Sequence, residues 1–209
     1  MIPTAGSSIN TSNGESFTVN VTVTCSDYDC GDVNVTLDPI YGGSWSYKKL
    51  LTINSSKIDE TLTDFPVLVK LTASNFDFSK AKTNGEDIRF TNAAGDTAYS
   101  YEIESWDATA QEAWIWVKIP SVSSSSDTTF YMYYGNSGAS DAQNASDVWS
   151  NNYVGVWHLS ETGTGTRYDS TSNNNDGTPQ YYDGDEATSS GKIDGADDLD
   201  GANDYIRVP

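Results

Sequence analysis

The stretch from Trp45 to Tyr134 alternates between apolar and polar residues, beginning with WSYKKLLTI and ending with FYMYY. Successive side chains of a β-strand leave on opposite faces, so this alternation is typical of strands with one face on a core. No segment shows a convincing helical period, and the only helical candidate is a short turn near 76–81. The pattern therefore predicts an all-β protein.

The middle of the chain contains six candidate strands separated by turn-forming residues such as Thr83-Asn84-Gly85. They are residues 46–54, 65–72, 87–91, 98–105, 112–119 and 128–134. Short strands at this spacing predict an antiparallel β-sandwich or jelly roll. In 112–119 both faces are apolar, which predicts a central strand covered on both sides.

We expect three parts along the chain. Residues 1–43 hold two alternating strands and a linker, residues 44–135 hold the sandwich, and residues 136–209 hold a linker and a further β segment. Two strands cannot bury a core alone, so the first part needs a partner, which could be the next domain of the same chain.

The chain is strongly acidic. Thirty Asp and Glu residues against eleven Lys and Arg give a formal net charge of -19. This charge repels nucleic acid and anionic membrane surfaces. No apolar run is long enough to cross a bilayer, so membrane insertion is not expected.

Several features predict an extracellular, cell-surface location. Cys25 and Cys30 flank a polar turn, where a disulfide would join two strands of a hairpin, although two unpaired core cysteines are the alternative. Glycosylation sequons occur at Asn10, Asn20, Asn34, Asn54 and Asn144.

Ordered segments of the middle part resemble a known family. WSYKKLLTI, DFPVLVKL, GEDIRFTNAAG, YSYEIESWD, EAWIWVKIP and FYMYYGN are similar to the domain of unknown function family numbered 2341, which occurs in secreted and surface proteins. We place this resemblance at about 45–135.

The flanking parts show further resemblances. Residues 153–209, with YVGVWHLSETGTGTRYDSTSNNNDGT and DLDGANDYIRVP, resemble the start of a laminin-G-like, concanavalin-like lectin domain. Residues 16–38 resemble part of an immunoglobulin-like repeat. These resemblances imply partial Ig-like and lectin-like sheets at the two ends, and a jelly roll used for glycan binding or adhesion. Either the chain is a fragment of a longer surface protein, or neighbouring copies complete the sheets by strand addition and form a filament.

The candidate catalytic groups are few. Glu102 and Glu104 share one face of a strand and Asp107 follows Trp106, a set that a glycoside hydrolase could use. The order EIESWD departs from the concanavalin-like glucanase motif, so we interpret these acids as solvated charges on an exposed face. His158 is the only histidine and is interpreted as a half-buried structural residue on a strand. We therefore expect no enzyme.

Calcium is the expected ion, if any is bound. Five aspartates, Asp194, Asp197, Asp198, Asp200 and Asp204, lie within eleven residues together with two glycines. Hard oxygen donors in a flexible loop suit this cation, but the spacing does not fit an EF-hand, and an acidic solvated loop is the alternative. Laminin-G-like domains often bind calcium, so the resemblance also implies it.

Aromatic residues, 12% of the chain, could stack on sugar rings, but the sequence does not separate exposed rings from core rings. The expected function is a non-catalytic cell-surface protein for adhesion or carbohydrate binding, with filament assembly as one possibility. The expected partners are glycans, cell-surface polymers or further copies of the chain. The alternative is an accessory carbohydrate-binding module of a polysaccharide-degrading enzyme.

Overall fold

Seven strands form two antiparallel sheets that pack face to face. A computed structural model describes residues 44–183, 186–188 and 191–209. The predicted Ig-like segment, Cys25, Cys30 and the sequons at Asn10, Asn20 and Asn34 lie outside these residues. The strands are β1 (Tyr47–Ile53), β2 (Leu62–Thr72), β3 (Arg89–Asn92), β4 (Ala98–Tyr99), β5 (Tyr101–Asp107), β6 (Glu112–Val122) and β7 (Thr128–Tyr134).

The two sheets confirm the predicted all-β sandwich. One sheet has the order β1-β7-β3-β4 and the other the order β2-β6-β5. All six predicted strands are present, and the segment predicted as 98–105 divides into β4 and β5, which belong to different sheets. The predicted turn near 76–81 contains a 3-10 helix, Phe78–Lys80.

Strand β6 is the central strand of its sheet and is covered on both sides, as its two apolar faces predict. Ala113, Ile115, Val117 and Ile119 are completely buried in the core between the sheets. Trp114 and Trp116 point to the opposite face, where Trp116 packs against Trp149 with ring centroids 5.1 Å apart. The second apolar face therefore receives the chain that follows the sandwich.

The long edge strand β2 is poorly suited to strand addition. Asp64 has a left-handed backbone (φ 47°) and interrupts the pairing with β6. Pro66 pairs with Lys118, whose N–H is directed to Ser100 on the side of β5, so the backbone of Pro66 faces the open edge without a donor. Prolines and irregularities at an edge oppose pairing with another chain. A filament built by strand addition would have to use another edge.

The segment after the sandwich (residues 144–209) contains short elements held mainly by side chains. They are α1 (Ala145–Val148), β8 (Thr178–Gln180), β9 (Ala187–Thr188), β10 (Ala196–Asp197) and β11 (Tyr205–Arg207). Strand β8 pairs with β11, and β9 pairs with β10. We call this stretch the C-terminal segment.

A buried ion pair organises the C-terminal segment. The Arg167 side chain is fully buried, and its Nε and Nη2 donate to the two carboxylate oxygens of Asp197 at 2.8 and 2.6 Å. Its remaining donors reach the carbonyl oxygens of Gly165 and Gly163 at 2.6 and 3.0 Å. The two-pronged guanidinium thus joins the loop before it to β10, in a part of the chain with little regular structure.

Candidate functional site

The C-terminal segment is joined to the outer face of the second sheet by a cluster of buried polar and aromatic side chains. Strand β5 contributes Glu102, which pairs with Trp116 of β6, and Glu104, which lies at an irregularity in the pairing between Ile103 and Ser105 and also reaches the outer face. The other members come from β6 and the C-terminal segment. We call the set the Glu–His cluster: Glu102, Glu104, Trp116, Trp149, His158 and Ser170.

His158 lies between the two carboxylates. Its Nε2 is 3.1 Å from Oε2 of Glu102, and its Nδ1 is 3.3 Å from Oε2 of Glu104. The indole N–H of Trp149 donates to Glu102 and that of Trp116 donates to Glu104, both at 2.5 Å. The hydroxyl of Ser170 donates to the second oxygen of Glu102 at 2.6 Å.

These contacts determine the protonation of the cluster. Burial alone would lower the pKa of His158, but the hydrogen bonds and negative charges of Glu102 and Glu104 outweigh it and raise the pKa to about 9. Burial would raise the pKa of Glu102, but the bonds from His158, Ser170 and Trp149 lower it below its usual value. At neutral pH the cluster therefore holds an imidazolium between carboxylates.

Two interpretations made from the sequence are wrong. Glu102 and Glu104 are not solvated charges, because Glu102 is 8% exposed and the Glu104 side chain is 6% exposed. Residues 157–159 do not form a strand, since Trp157 makes an isolated bridge to Asp169 and Leu159 has a left-handed backbone. His158 is half-buried, as expected.

The charge of His158 should make the free energy of unfolding decrease at alkaline pH. The pKa of His158 is raised from 6.5 to about 9. Its contribution to the free energy of unfolding is therefore complete below pH 6.5 and is lost as the pH rises through about 9. The shift corresponds to a loss on the order of 3 kcal/mol. Urea unfolding across this pH window should show the decline in the wild-type chain and a flat profile in His158→Gln. A decline of equal size in both would contradict the assignment.

An open cleft of about 530 Å³ adjoins the Glu–His cluster and shares Glu104 with it. We call it the Trp106 cleft. Its walls combine an indole, three carboxylates, hydroxyl groups and an amide. The lining residues are Thr83, Asn84, Glu104, Ser105, Trp106, Asp107, Ala108, Thr109 and Asp194.

Packing fixes the position of Trp106 in this cleft. Its ring lies against Phe76 and Phe78, with centroids 5.9 and 5.2 Å away. It also lies over Gly85, where an added Cβ would be 2.7 Å from Cε3 and where φ is +73°, so glycine alone fits. The indole N–H is buried and makes no hydrogen bond to the described residues.

The acidic wall of the cleft carries unneutralised charge. Burial and the charge of Glu104 raise the pKa of Asp194. Asp107 accepts hydrogen bonds from the backbone N–H groups of Thr109 and Ala110 through one oxygen, both at 2.8 Å. No lysine or arginine lines the cleft.

The five aspartates predicted as calcium ligands are divided among separate places. Asp197 pairs with Arg167, Asp194 lines the Trp106 cleft, and Asp198, Asp200 and Asp204 line another surface pocket. Within the described ranges, no three or more His, Cys, Asp or Glu side chains are arranged to hold a metal ion. The calcium prediction gains no support from this arrangement.

The two sequons within the described residues are exposed. Asn54 precedes a 3-10 helix and Asn144 precedes α1, and the side-chain oxygen of each accepts a backbone N–H of the following turn. The oxygen rather than the amide nitrogen makes this contact, so a glycan on the nitrogen is compatible with the cap. Use of the sequons stays a prediction. None of the helices in the described part of the chain is long and apolar enough to span a membrane.

Fold and site together define an antiparallel β-sandwich protein whose C-terminal segment is fixed to one sheet by the Glu–His cluster. The family model described as Domain of unknown function (DUF2341) matches residues 84–194, and the chain belongs to this family. The matched range includes both sides of the Glu–His cluster and all of the cleft except Thr83. It also crosses the predicted division between 135 and 136.

No curated protein and no solved structure matches the chain significantly. The lectin-like and Ig-like resemblances are therefore not confirmed, and the family description gives no function. The Glu–His cluster could not be found from sequence spacing, because its members come from β5, β6 and three separate points of the C-terminal segment.

Proposed function

We propose that the chain is a non-catalytic carbohydrate-binding module of an extracellular cell-surface protein, and that the Trp106 cleft holds the glycan. The observation that carries the proposal is the composition of the cleft, where Trp106, partly buried against the core, lines the same space as hydroxyl, amide and carboxylate groups. Sugar rings pack their apolar faces on aromatic rings while their hydroxyls bond to such polar groups. The volume of about 530 Å³ is within the range of small-molecule sites.

The arrangement of Glu104 favours binding over catalysis. One carboxylate oxygen of Glu104 already accepts from Trp116 and contacts His158. A glycoside hydrolase needs two carboxyl groups free to act on the scissile bond. Here both candidates, Glu102 and Glu104, have structural tasks in the Glu–His cluster. Adhesion through a bound glycan therefore agrees better with this geometry than hydrolysis.

Filling the cleft should abolish binding. Thr109 is an exposed residue of the cleft and Thr52 is an exposed threonine of β1 in the other sheet. We expect Thr109→Phe to weaken the binding of an oligosaccharide found by glycan-array screening by at least about tenfold, which is about 1.4 kcal/mol, because its ring occupies the sugar position. Calorimetry measures the affinity.

Thr52→Phe adds the same ring on the other sheet and should bind as the wild type does. The proposed function would be contradicted if no glycan on the array bound to the protein. It would also be contradicted if Thr109→Phe and the wild type bound the oligosaccharide with equal affinity. Release of reducing ends from the bound oligosaccharide would show that the chain is an enzyme instead.

A further inference from the structure

Among the described residues, strand β1 forms the sheet edge that is both regular and uncovered. The edge of β5 is covered, because the N–H of Ile103 donates to the side chain of Gln143. Beside it, the N–H of Asn144 donates to the carbonyl oxygen of Tyr101 at 2.9 Å. Strand β4 has only two residues, and β2 is interrupted at Asp64. The open edge of a regular seven-residue strand such as β1 is a template for pairing with another chain.

Half of the backbone groups of β1 face this open edge. The N–H of Ser46 donates to the carbonyl oxygen of Gly135, so Ser46 and every second residue after it form the hydrogen-bonded pairs with β7. The N–H and C=O groups of the residues between them point away from β7, and no described strand pairs with them. These residues are Tyr47, Lys49, Leu51 and Ile53.

The backbone of β1 is complementary to that of a second copy about Leu50. An antiparallel pair of β1 strands with Leu50 at its centre places Lys49 opposite Leu51. The same register places Tyr47 opposite Ile53. The N–H and C=O groups of these residues face the open edge, so they form the hydrogen-bonded pairs. Leu50 and its copy then form a non-hydrogen-bonded pair, in which the side chains are closer.

The side chains of the outer face also fit this register. Leu50 is 51% exposed on the face opposite the core, and its copy would cover it. Lys48 on the same face lies opposite Thr52, so no lysine is opposite a lysine, an arrangement that would destabilise the pair. Strand β1 contains no acid although the chain has a net charge of -19, so the two copies meet where acidic side chains are absent.

The two lysines of β1 contact their own protomer. Nζ of Lys48 lies 3.6 Å from the ring centroid of Tyr131, and Nζ of Lys49 donates to the carbonyl oxygen of Asn75. Lysines on an edge can oppose pairing with another chain. Here both ammonium groups have partners on the same protomer, so the edge stays accessible.

We propose that two copies of the chain form a symmetric dimer through the open edges of β1, which joins their four-stranded sheets into one continuous sheet. The two-fold axis passes beside Leu50, so one partner uses the whole edge and the assembly closes at two copies. No residue of β1 lines the Trp106 cleft, so the dimer carries two clefts and would bind a multivalent glycan surface with increased avidity. The dimer itself does not depend on glycan binding.

Sedimentation velocity of the full chain over a concentration series tests the dimer. The interface is small, so we expect a dimer that forms at micromolar concentrations. Leu50→Glu places two carboxylates opposite each other beside the two-fold axis and should weaken dimerisation by at least about tenfold. The matched control is Leu199→Glu, the same substitution at an exposed leucine of the C-terminal segment, which should dimerise as the wild type does.

A second variant blocks the backbone of the edge. Lys49→Pro removes an N–H that faces the open edge, so the bonds to β7 remain while the second copy loses a donor and meets the proline ring. This variant should stay monomeric, whereas Lys49→Ala keeps the N–H and should dimerise as the wild type does. Circular dichroism checks the fold of each variant, and Leu50→Glu decides alone if Lys49→Pro does not fold.

Three outcomes would overturn the inference. The first is a wild-type chain that stays monomeric at every concentration, whatever other segment then covers β1. The second is a dimer that is as stable in Leu50→Glu and in folded Lys49→Pro as in the wild type, because its contact would lie elsewhere. The third is growth beyond two copies, which would indicate open-ended strand addition.

Discussion

Glu102→Ala should destabilise the protein by about 3–5 kcal/mol, the cost of removing one partner of a buried charge pair. Glu102 accepts from Trp149 and Ser170 and faces His158 at 3.1 Å. Alanine leaves the indole N–H and the hydroxyl without this acceptor and deprives the imidazolium of one of its two counter-ions. These contacts join the C-terminal segment to the sandwich, so urea unfolding should show a large decrease in the free energy of unfolding.

The control for this variant is Glu60→Ala. Glu60 is exposed and lies just before β2, so its loss should change stability by no more than about 0.5 kcal/mol. In Glu102→Ala, amide hydrogen exchange should also be faster than in the wild type, and the increase should be larger in residues 149–170 than in β6. A loss below about 1 kcal/mol in Glu102→Ala would show that the cluster does not hold the segment.

Arg167→Ala should have an effect of similar size within the C-terminal segment. The variant leaves Asp197, whose side chain is 3% exposed, as a buried carboxylate without its cation. It also removes the donors that bind the carbonyl oxygens of Gly163 and Gly165. We expect a loss of about 3–5 kcal/mol, measured by urea unfolding.

Two variants sharpen this prediction. Arg167→Lys keeps the charge but loses the two-pronged geometry, so it should recover part of the stability and remain below the wild type. Arg207→Ala removes an exposed arginine of β11 and should be nearly neutral. If Arg167→Lys were as stable as the wild type, the bidentate contact with Asp197 would not be the source of the effect.

The sequence was sufficient to predict the sandwich, because alternation along each strand reports directly on its buried face. The two apolar faces of β6 even indicated a covering layer. The prediction that the carboxylates of β5 are exposed to solvent was wrong for a related reason. Alternation predicts that Glu102 and Glu104 share one face, but it shows neither the irregular pairing at Glu104 nor that Trp149 and His158 cover this face.

The C-terminal segment was harder to predict because its order depends on specific side-chain contacts between distant residues. Arg167 and Asp197 are thirty positions apart and give no periodic signal. The acidic spacing of 194–204 suggested one ion site, but one of those acids serves Arg167 and another lines the cleft. The Trp106 cleft similarly joins loops near 83 and 107 with Asp194.

The most direct test of glycan binding follows the indole N–H resonances of the six tryptophans during titration with an oligosaccharide found by glycan-array screening. Trp106→Phe assigns the Trp106 signal by its absence. We predict that the Trp106 resonance shifts with saturation, while those of Trp45, Trp114 and Trp157 stay in place. Saturable shifts at those three rings with Trp106 unchanged, or no shift at all, would contradict glycan binding in the Trp106 cleft.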